Sequence, residues 1–282
     1  MCFAWVVTTI VLTGASDGIG AAAAADLARA GHRLLLVGRS QAKMKAVAAT
    51  TGVDEWFLAD FERLDDVRRL ADELRSACDQ IDVLANNAGG MFDGPVRTDD
   101  GFERTFQVNH LAPFLLTHLL MDVLISSQAA VVNTSSVAAR MFSGLDIDDV
   151  NDWDSFTPTK AYGDSKLANI LFTRGLHTRF GDQGLTSVAF HPGVVATSFA
   201  AGTSHVLKYA YHTPVRSLFM SPRRGGRNLT HFITGTGGDT WVSGEFYGSN
   251  RKIARTTDQA YDDELVRRHW ELSAQMLDLP QG

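Results

Sequence analysis

The stretch Thr13-Gly14-Ala15-Ser16-Asp17-Gly18-Ile19-Gly20 follows the apolar run Thr8–Leu12 and leads into the alanine-rich segment Ile19–Ala30. The apolar run predicts a buried strand, and the alanine-rich segment predicts a helix that ends before Gly31. Glycines between a strand and a helix permit a tight turn, so the free N–H groups at the helix start can face an anion. This stretch therefore predicts a strand–turn–helix unit that cradles the phosphates of a nucleotide.

Strands and helices alternate along the rest of the chain. Further strands are predicted at Arg33–Val37, Trp56–Ala59, Ile81–Leu84, Ala129–Thr134 and Thr186–Phe190, and helices between them at Ser40–Thr50, Leu64–Ala77 and about 159–180. The strands are apolar along their whole length, which is typical of a parallel sheet covered by helices on both faces. Because no linker or repeat divides the chain, we expect one α/β domain over residues 1–282, with a Rossmann-type, doubly wound parallel sheet.

Composition and charge exclude several classes of protein. Hydrophobic residues make up 45% and charged residues 21% of the 282 residues, as in ordinary globular domains. A net charge of -6 without a basic run disfavours binding to nucleic acid. No segment has the roughly 20 continuous apolar residues of a membrane span, and the opening segment lacks the basic start of a signal peptide. Cys2 and Cys78 fit neither a disulfide framework nor a zinc site, so we expect a cytoplasmic protein without metal.

Two further motifs accompany the glycine-rich turn. The turn has the spacing Gly-x3-Gly-x-Gly, and the two further motifs are Asn86-Asn87-Ala88-Gly89 after the fourth strand and Tyr162-Gly163-Asp164-Ser165-Lys166. With these three motifs, the whole chain resembles the short-chain dehydrogenase/reductase family. The stretches Gln107–Leu111 and His191–Val195 look closest to its retinol-dehydrogenase-like branch. The resemblance implies an oxidoreductase that interconverts an alcohol and a carbonyl, with a cofactor half over about 1–135 and a catalytic and substrate half over about 136–282.

Tyr162 and Lys166 carry chemistry that can be argued from the residues themselves. They are four apart on a helix, hence on one face and about 6 Å apart along its axis. We expect the ammonium to lower the pKa of the phenol, which then exchanges a proton with a substrate oxygen. Ser136, after the fifth strand, would donate a hydrogen bond to that oxygen. The resemblance makes Ser136 the catalytic serine, with Ser135 as the alternative, and Asn109 the fourth catalytic residue, part of a water-linked proton relay.

Pro113 suggests a physical reason for the role of Asn109. Proline has no N–H, so the carbonyl of Asn109, four residues earlier, loses its usual helical partner. A buried carbonyl needs another donor, and a bound water is a natural one. We therefore expect Pro113 to kink the helix and to leave Asn109 available for the relay.

The end of the second strand indicates the choice of cofactor. Gly38 offers no carboxylate to a ribose, whereas Arg39 and Ser40 suit a 2′-phosphate, which favours NADP(H) over NAD(H). An arginine that only stacks on adenine is the alternative. Asp17 departs from those NADP-binding relatives that carry a basic residue in the turn. The resemblance places cofactor contacts at Gly14, Ser16, Asp17, Gly18, Ile19, Gly20, Arg39, Ser40, Asp60, Phe61, Asn87, Ala88, Gly89, Tyr162, Lys166, Pro192, Gly193, Val195 and Thr197.

Loops beyond the carboxyl ends of the strands should line the substrate crevice. These loops are Gly90–Asp100, Ala138–Thr157 and Ser198–Ser221. The last is rich in apolar residues, so it is either a lid over a hydrophobic alcohol, aldehyde or ketone or a helix packed onto the body. The acidic residues of the second loop predict a solvated surface rather than a metal site.

The helices around 105–125 and 159–180 are apolar on almost every side. A helix apolar all round must be buried all round. A homodimer or homotetramer interface would cover the outer side, and cover from the chain's own loops is the alternative.

Two other functions compete with an NADP-dependent oxidoreductase. One is a protein of the same fold that binds NADP as a sensor or scaffold without catalysis. The presence of Asn109, Ser136, Tyr162 and Lys166 together disfavours it. The other, a sugar-nucleotide epimerase or dehydratase, would have a different glycine spacing and a separate substrate region.

Overall fold

A seven-stranded parallel sheet organises the molecule. The computed structural model describes residues 7–151, 153–193 and 220–280. In the sheet the strands lie in the order β3-β2-β1-β4-β5-β6-β7. The strands are β1 (Thr9–Thr13), β2 (Arg33–Gly38), β3 (Trp56–Leu58), β4 (Val83–Asn86), β5 (Ala130–Thr134), β6 (Thr186–Phe190) and β7 (Phe246–Tyr247). The two halves predicted from the sequence thus contribute to one sheet.

Helices connect the strands and cover both faces of the sheet. They are α1 (Gly18–Arg29), α2 (Gln41–Thr51), α3 (Leu64–Ala77), α4 (Arg104–Phe106), α5 (Ala112–Leu119), α6 (Met121–Ser126), α7 (Ala138–Met141), α8 (Pro158–Phe180), α9 (Pro222–Thr234) and α10 (Asp263–Met276). A π-helical segment, Gln107–Leu111, joins α4 to α5. No helix within the described ranges combines the length and the apolarity that crossing a membrane requires.

The alternation of side chains along each strand divides the core into two layers. In β1, Ile10 and Leu12 pack against α1, α2 and α9, whereas Val11 packs against α3, α5 and α8. Successive residues of a strand point to opposite faces, so one apolar run supplies both layers. The continuous apolarity read from the sequence therefore reflects burial on both faces, and the predicted α/β class is confirmed.

Most predicted elements agree with the structure, and β4 is the main exception. Ile81–Leu84 was expected, but the strand runs over Val83–Asn86. Asn86 continues the strand in the core because its amide nitrogen donates to Thr117 Oγ1 at 3.1 Å and to Asn133 Oδ1 at 3.0 Å. Apolar periodicity cannot indicate a polar residue whose hydrogen-bond partners are distant in sequence.

The chain itself covers its apolar helices. Phe114 of α5 and Phe172 of α8 are buried within the single chain, and α10 places Trp270 against both, with ring centroids 4.9 and 5.8 Å away. Within the described residues, cover for these rings comes from the helix α10 of the same chain, rather than from the loops named as the alternative to a subunit interface. A homodimer or homotetramer stays a prediction.

Candidate active site

The candidate site lies where the order of the strands reverses. β1 is flanked by β2 on one side and by β4 on the other, so the chain leaves these strands in opposite directions. The loops after β1 and β4 therefore diverge and leave a crevice at the carboxyl edge of the sheet. The glycine-rich turn follows β1, and Asn87-Ala88-Gly89 follows β4.

Thr13 holds these two loops together. Its Oγ1 donates to the Ala85 carbonyl at 3.2 Å and accepts the N–H groups of Asn87 and Ala88, each at 3.0 Å. Gly14 adopts φ +67°, and a Cβ there would lie 2.8 Å from the Cα of Ala88. The close approach of the two loops thus requires glycine at this position. Thr13 is a site residue that the sequence reasoning missed, although a threonine ending an apolar strand is a visible signal.

The glycine-rich turn opens α1 at its amino end. Asp17 is the N-cap, and its carboxylate accepts the N–H of Gly18 at 2.7 Å. The next N–H groups, on Ile19 and Gly20, belong to the first helical turn, whose amides have no intrahelical acceptor. They can therefore donate to a phosphate that approaches over Ser16.

Cationic side chains gather at the end of β2. Arg39 is 63% exposed and lies 4.0 Å from Glu62, and Ser40 caps α2. Lys43, in the first turn of α2, forms a 2.6 Å ion pair with Asp17. The structure thus places a cation beside the acidic residue that the sequence left unexplained. Lys43 was missed because its meeting with Asp17 depends on how α2 packs, although its place three residues after Ser40 on a helix was readable.

The structure describes some of the remaining predicted cofactor contacts, and others lie outside the described residues. Asp60 follows β3 and accepts the N–H of Glu62 at 3.1 Å. The Phe61 side chain is only 5% exposed within the core, so this ring is not available to a cofactor and only its backbone is. Pro192 and Gly193 follow β6 at the same edge of the sheet. Val195, Thr197 and residues 198–219 of the predicted lid lie outside the described residues.

Ser136, Tyr162 and Lys166 meet beside the crevice. The Ser136 hydroxyl is hydrogen-bonded to the Tyr162 phenol. Lys166 Nζ lies 5.6 Å from the centroid of the Tyr162 ring and donates to the Thr134 carbonyl at 3.1 Å. Ser135 instead turns inward and donates to the Lys166 carbonyl at 2.7 Å, so the serine that touches the phenol is Ser136.

Burial dominates the proton affinities of this cluster. It raises the pKa of Tyr162, against the lowering effect of the Ser136 hydrogen bond. It lowers the pKa of Lys166 from 10.5 to about 7. The expectation that Lys166 depresses the pKa of the phenol is therefore wrong for this structure. Desolvation of the buried phenol is the largest effect on its pKa, and the hydrogen bond from Ser136 offsets it only in part.

Asn109 lies in the π-helical segment that ends just before Pro113. Its side-chain amide clamps Gly90, accepting that N–H and donating to that carbonyl, each at 2.8 Å, and it also donates to Ser165 Oγ at 3.0 Å. A Cβ on Gly89 would lie 2.5 Å from Asn109 Oδ1 and 3.3 Å from Lys166 Nζ. The side chain of Asn109 thus holds the loop after β4, and only its backbone carbonyl is left for a relay.

Asn169 extends the polar cluster along α8. Its amide nitrogen donates to the Thr134 carbonyl at 3.3 Å, the same acceptor that Lys166 uses, and its Oδ1 lies 3.3 Å from Nδ1 of His110. Sequence reasoning missed Asn169 and Thr134. The spacing of seven residues from Tyr162, two turns along one helix, was the available signal.

Two exposed apolar side chains follow Ser136 in the chain. Met141 ends α7 and Phe142 comes directly after it, and they are 62% and 44% exposed. Their segment packs on α8, because a Cβ on Gly163 would lie 2.8 Å from the carbonyl carbon of Phe142. This part of the predicted loop Ala138–Thr157 therefore lies directly beside Tyr162.

The chain is similar to members of one family over most of its length. A family model described as short chain dehydrogenase matches residues 8–207. The chain is 37% identical to a candidate daunorubicin C-13 ketoreductase from Streptomyces sp. (strain C5), over 94% of this chain and 91% of that protein. It is 32% identical to human retinol dehydrogenase 14, over 96% of this chain and 86% of that protein.

Solved structures show the same fold. An uncharacterised protein from Mycobacterium paratuberculosis superposes with a TM-score of 0.78 at 30% identity, covering 98% of this chain and 95% of that one. The NADP active-site complex of RhlG from Pseudomonas aeruginosa superposes with a TM-score of 0.67 at 22% identity, covering 86% of this chain and 94% of that one.

Proposed function

This chain belongs to the short-chain dehydrogenase family, and we propose that it is an NADP(H)-dependent oxidoreductase that interconverts a hydrophobic alcohol and its carbonyl. The observation that carries the proposal is the convergence of Ser136, Tyr162 and Lys166 at the carboxyl edge of the sheet. The similarity to proteins named retinol dehydrogenase and ketoreductase supports this class of reaction.

The residues at the crevice fit a nicotinamide dinucleotide. Gly14 and Gly18, with φ of +67° and +57°, leave the turn that opens α1 without a side chain at these two positions. The first N–H groups of α1 would hold the pyrophosphate, and Pro192 and Gly193 would flank the nicotinamide. When bound, the cofactor supplies or accepts the hydride.

Tyr162 exchanges the proton that accompanies the hydride. Because burial raises its pKa, the phenol remains protonated at neutral pH, which is the form that donates a proton to a carbonyl oxygen. Ser136 holds the substrate oxygen beside the phenol with a second hydrogen bond. In the direction of alcohol oxidation, the phenol first gives its proton to the Lys166 amine, and the phenolate then accepts the proton of the alcohol.

Lys166 returns the proton to Tyr162. With a pKa of about 7, the amine gains and loses a proton readily at neutral pH, as a relay group must. The Thr134 carbonyl orients it, at 3.1 Å. A water held by the Asn109 carbonyl would link the amine to solvent, since Pro113 offers that carbonyl no N–H.

Arg39 and Lys43 distinguish NADP(H) from NAD(H). Gly38 leaves no carboxylate at the end of β2, Arg39 follows it directly, and Lys43 lies in the first turn of α2. A 2′-phosphate would accept hydrogen bonds from the guanidinium of Arg39 and the hydroxyl of Ser40, while Lys43 would add positive charge. Asp17 positions Lys43 rather than opposing the phosphate.

Two exposed apolar side chains near the catalytic helix support a hydrophobic substrate. Met141 and Phe142 are exposed apolar side chains at the segment that packs on α8 against Gly163, the residue after Tyr162. Substituting both by serine is expected to raise the KM of a long-chain ketone about tenfold and to leave that of a small ketone unchanged, since each buried methylene contributes about 0.8 kcal/mol. Val242→Ser, at another exposed apolar position, is the matched control.

The function is tested by following NADPH oxidation with a panel of hydrophobic aldehydes and ketones. We expect turnover by the wild-type chain and a loss of at least about a hundredfold in Tyr162→Phe. Tyr261→Phe, which removes a phenol hydroxyl near the surface, should keep the wild-type rate. Equal rates in Tyr162→Phe and the wild type would overturn the assignment, and NADPH binding without turnover would favour a sensor or scaffold. The predicted cytoplasmic location stays a prediction.

A further inference from the structure

Three arginines surround a pocket that the proposed chemistry does not use. The pocket has a volume of about 220 Å³ and lies between α9 and the segment after β7. It is lined by Arg224, Arg227, Asn228, Ser249, Asn250 and Arg251. Pockets for drug-sized ligands measure about 300–1,000 Å³, so this one suits a smaller group.

The positive charge of this pocket is uncompensated. Most arginines elsewhere have a carboxylate partner, for example Arg75, which pairs with Asp122 at 2.5 Å. Within the ranges that the structure describes, no carboxylate lies at ion-pair distance from Arg224, Arg227 or Arg251. Like charges held together without a counter-charge repel each other, so an anion that joins them is bound favourably.

The guanidinium of Arg251 is fixed in place rather than free in solvent. Its Nε donates to Asn228 Oδ1 at 3.1 Å and its Nη2 donates to the Arg227 carbonyl at 3.1 Å. Arg251 also has φ +62°, a conformation that a residue with a Cβ adopts at some cost. Its orientation is therefore set before any ligand arrives, which reduces the entropy lost on binding.

Asn228 ties the pocket to the framework of the sheet. It is 5% exposed, and its amide nitrogen donates to the carbonyls of Pro192 and Ser249, both at 3.1 Å. The pocket thus sits at the carboxyl edge, beside the ends of β6 and β7. Burial lowers the pKa of His231 nearby, and the charge of Arg251 adds to this lowering.

This pocket is separate from the glycine-rich turn. Gly226 faces α1, since a Cβ there would lie 2.7 Å from the Cβ of Ala22. Arg224 and Asn228 lie two residues before and after Gly226, which at about 100° per residue places both on the opposite side of α9. The pocket therefore opens away from α1 and from the pyrophosphate-binding turn.

We propose that this arginine pocket binds a phosphate group, either of a soluble phosphate monoester or of a lipid headgroup. Guanidinium groups bind phosphate oxygens with paired N–H donors, and the polar groups of Ser249 and Asn250 complete a lining suited to an oxyanion. The site is an addition to the oxidoreductase centre and does not depend on the chemistry proposed for it.

The test is calorimetric titration of the full chain with inorganic phosphate at constant ionic strength. The pocket variant Arg224→Gln/Arg227→Gln is compared with the control Arg223→Gln/Lys252→Gln, which removes two flanking charges that do not line the pocket. We expect the pocket variant to bind phosphate at least about tenfold more weakly and the control to bind within about twofold of the wild type. Thermal melting checks that both variants remain folded.

Phosphate also suits the glycine-rich turn, but both variants share that turn unchanged, so their difference isolates the pocket. Equal affinities in the pocket variant and the wild type would overturn the proposal, as would an equal loss in the control. Vesicles of phosphatidylcholine with and without phosphatidic acid then identify the source. Vesicle binding that requires phosphatidic acid and is lost only in the pocket variant assigns a lipid headgroup, and phosphate binding without it assigns a soluble ester.

Discussion

The charged side chains at one end of the proposed cofactor site are exposed to solvent, whereas the titratable side chains at the other end are buried. At the adenosine end, Arg39 and Lys43 are 63% and 53% exposed. At the catalytic end, Lys166 is 2% and Tyr162 is 8% exposed. Charges in water interact weakly and are screened by salt, whereas burial penalises the charged form itself. On the proposed function, the exposed end would recognise a phosphate with permanent charges, and the buried end would set how readily protons move.

The largest effect that we predict is that of Lys166 burial on the free energy of unfolding. Since the pKa of Lys166 falls from 10.5 to about 7, the unfolded chain binds more protons than the folded chain between these values. Through this group the free energy of unfolding therefore rises with pH from about 7 to about 10.5, and the burial penalty is present in full below pH 7. We expect Lys166→Met to stabilise the fold by on the order of 3 kcal/mol at pH 6 and to lose that gain by about pH 10.5.

Urea denaturation of Lys166→Met and the wild type across this pH range measures the difference. Lys45→Met, an exposed position on α2, should show no such pH dependence. A constant difference between Lys166→Met and the wild type at all pH values would contradict a buried, weakly charged lysine.

A smaller effect separates two adjacent serines. Ser136 touches the Tyr162 phenol, whereas Ser135 donates to the Lys166 carbonyl. Ser136→Ala is expected to lower kcat by about 10- to 100-fold, and to lower the free energy of unfolding by about 1 kcal/mol because Ser136 Oγ also accepts the N–H of Ala138 at 3.1 Å. Ser135→Ala should destabilise the fold by a similar amount, because a buried hydrogen bond is lost, but should leave kcat nearly unchanged. Steady-state kinetics with thermal denaturation test this pair, and equal losses of kcat would show that the two serines do not differ in role.

At the adenosine end, we predict that Arg39 contributes about a tenfold preference for NADPH over NADH. Arg39→Gln removes the guanidinium proposed to bind the 2′-phosphate, so we expect the Kd of NADPH to rise about tenfold while that of NADH stays constant. Fluorescence titration with both cofactors measures the two constants. An equal change for NADPH and NADH would mean that Arg39 only stacks on adenine.

The smallest predicted effect belongs to Lys43. Its ion pair with Asp17 is exposed, and such pairs contribute about 0.2–1 kcal/mol. Lys43→Gln should therefore raise the Kd of NADPH a few-fold, most clearly at low salt, whereas Lys45→Gln on the same helix should not. A change in the Kd of NADPH that is independent of salt would argue against an electrostatic role.

The sequence predicts those features of the fold and the candidate site that depend on local patterns of residues. The apolar strands, the glycine-rich turn and the spacing of Tyr162 and Lys166 could all be located in advance. The displaced β4 could not, because Asn86 is buried only by virtue of Thr117 and Asn133. Cover of the apolar helices by α10 likewise depends on tertiary packing rather than on periodicity.

The pKa shifts and ion pairs of the site residues were predicted less well than the positions of these residues. The sign of the Tyr162 pKa shift was wrong because desolvation adds up over many neighbours, while a motif shows only one of them. The ion pair of Lys43 with Asp17 and the pocket formed by Arg227 and Arg251 join segments distant in sequence. Only the packed chain reveals them.

The contrast between the two ends is tested most directly by the single-turnover rate of NADPH oxidation at saturating NADPH and saturating carbonyl substrate. We predict that Tyr162→Phe reduces this rate at least about a hundredfold and that Arg39→Gln leaves it unchanged once the cofactor site is filled. A Tyr162→Phe variant as fast as the wild type, or an Arg39→Gln variant slowed as much as Tyr162→Phe, would contradict the assignment of chemistry to the buried end and recognition to the exposed end.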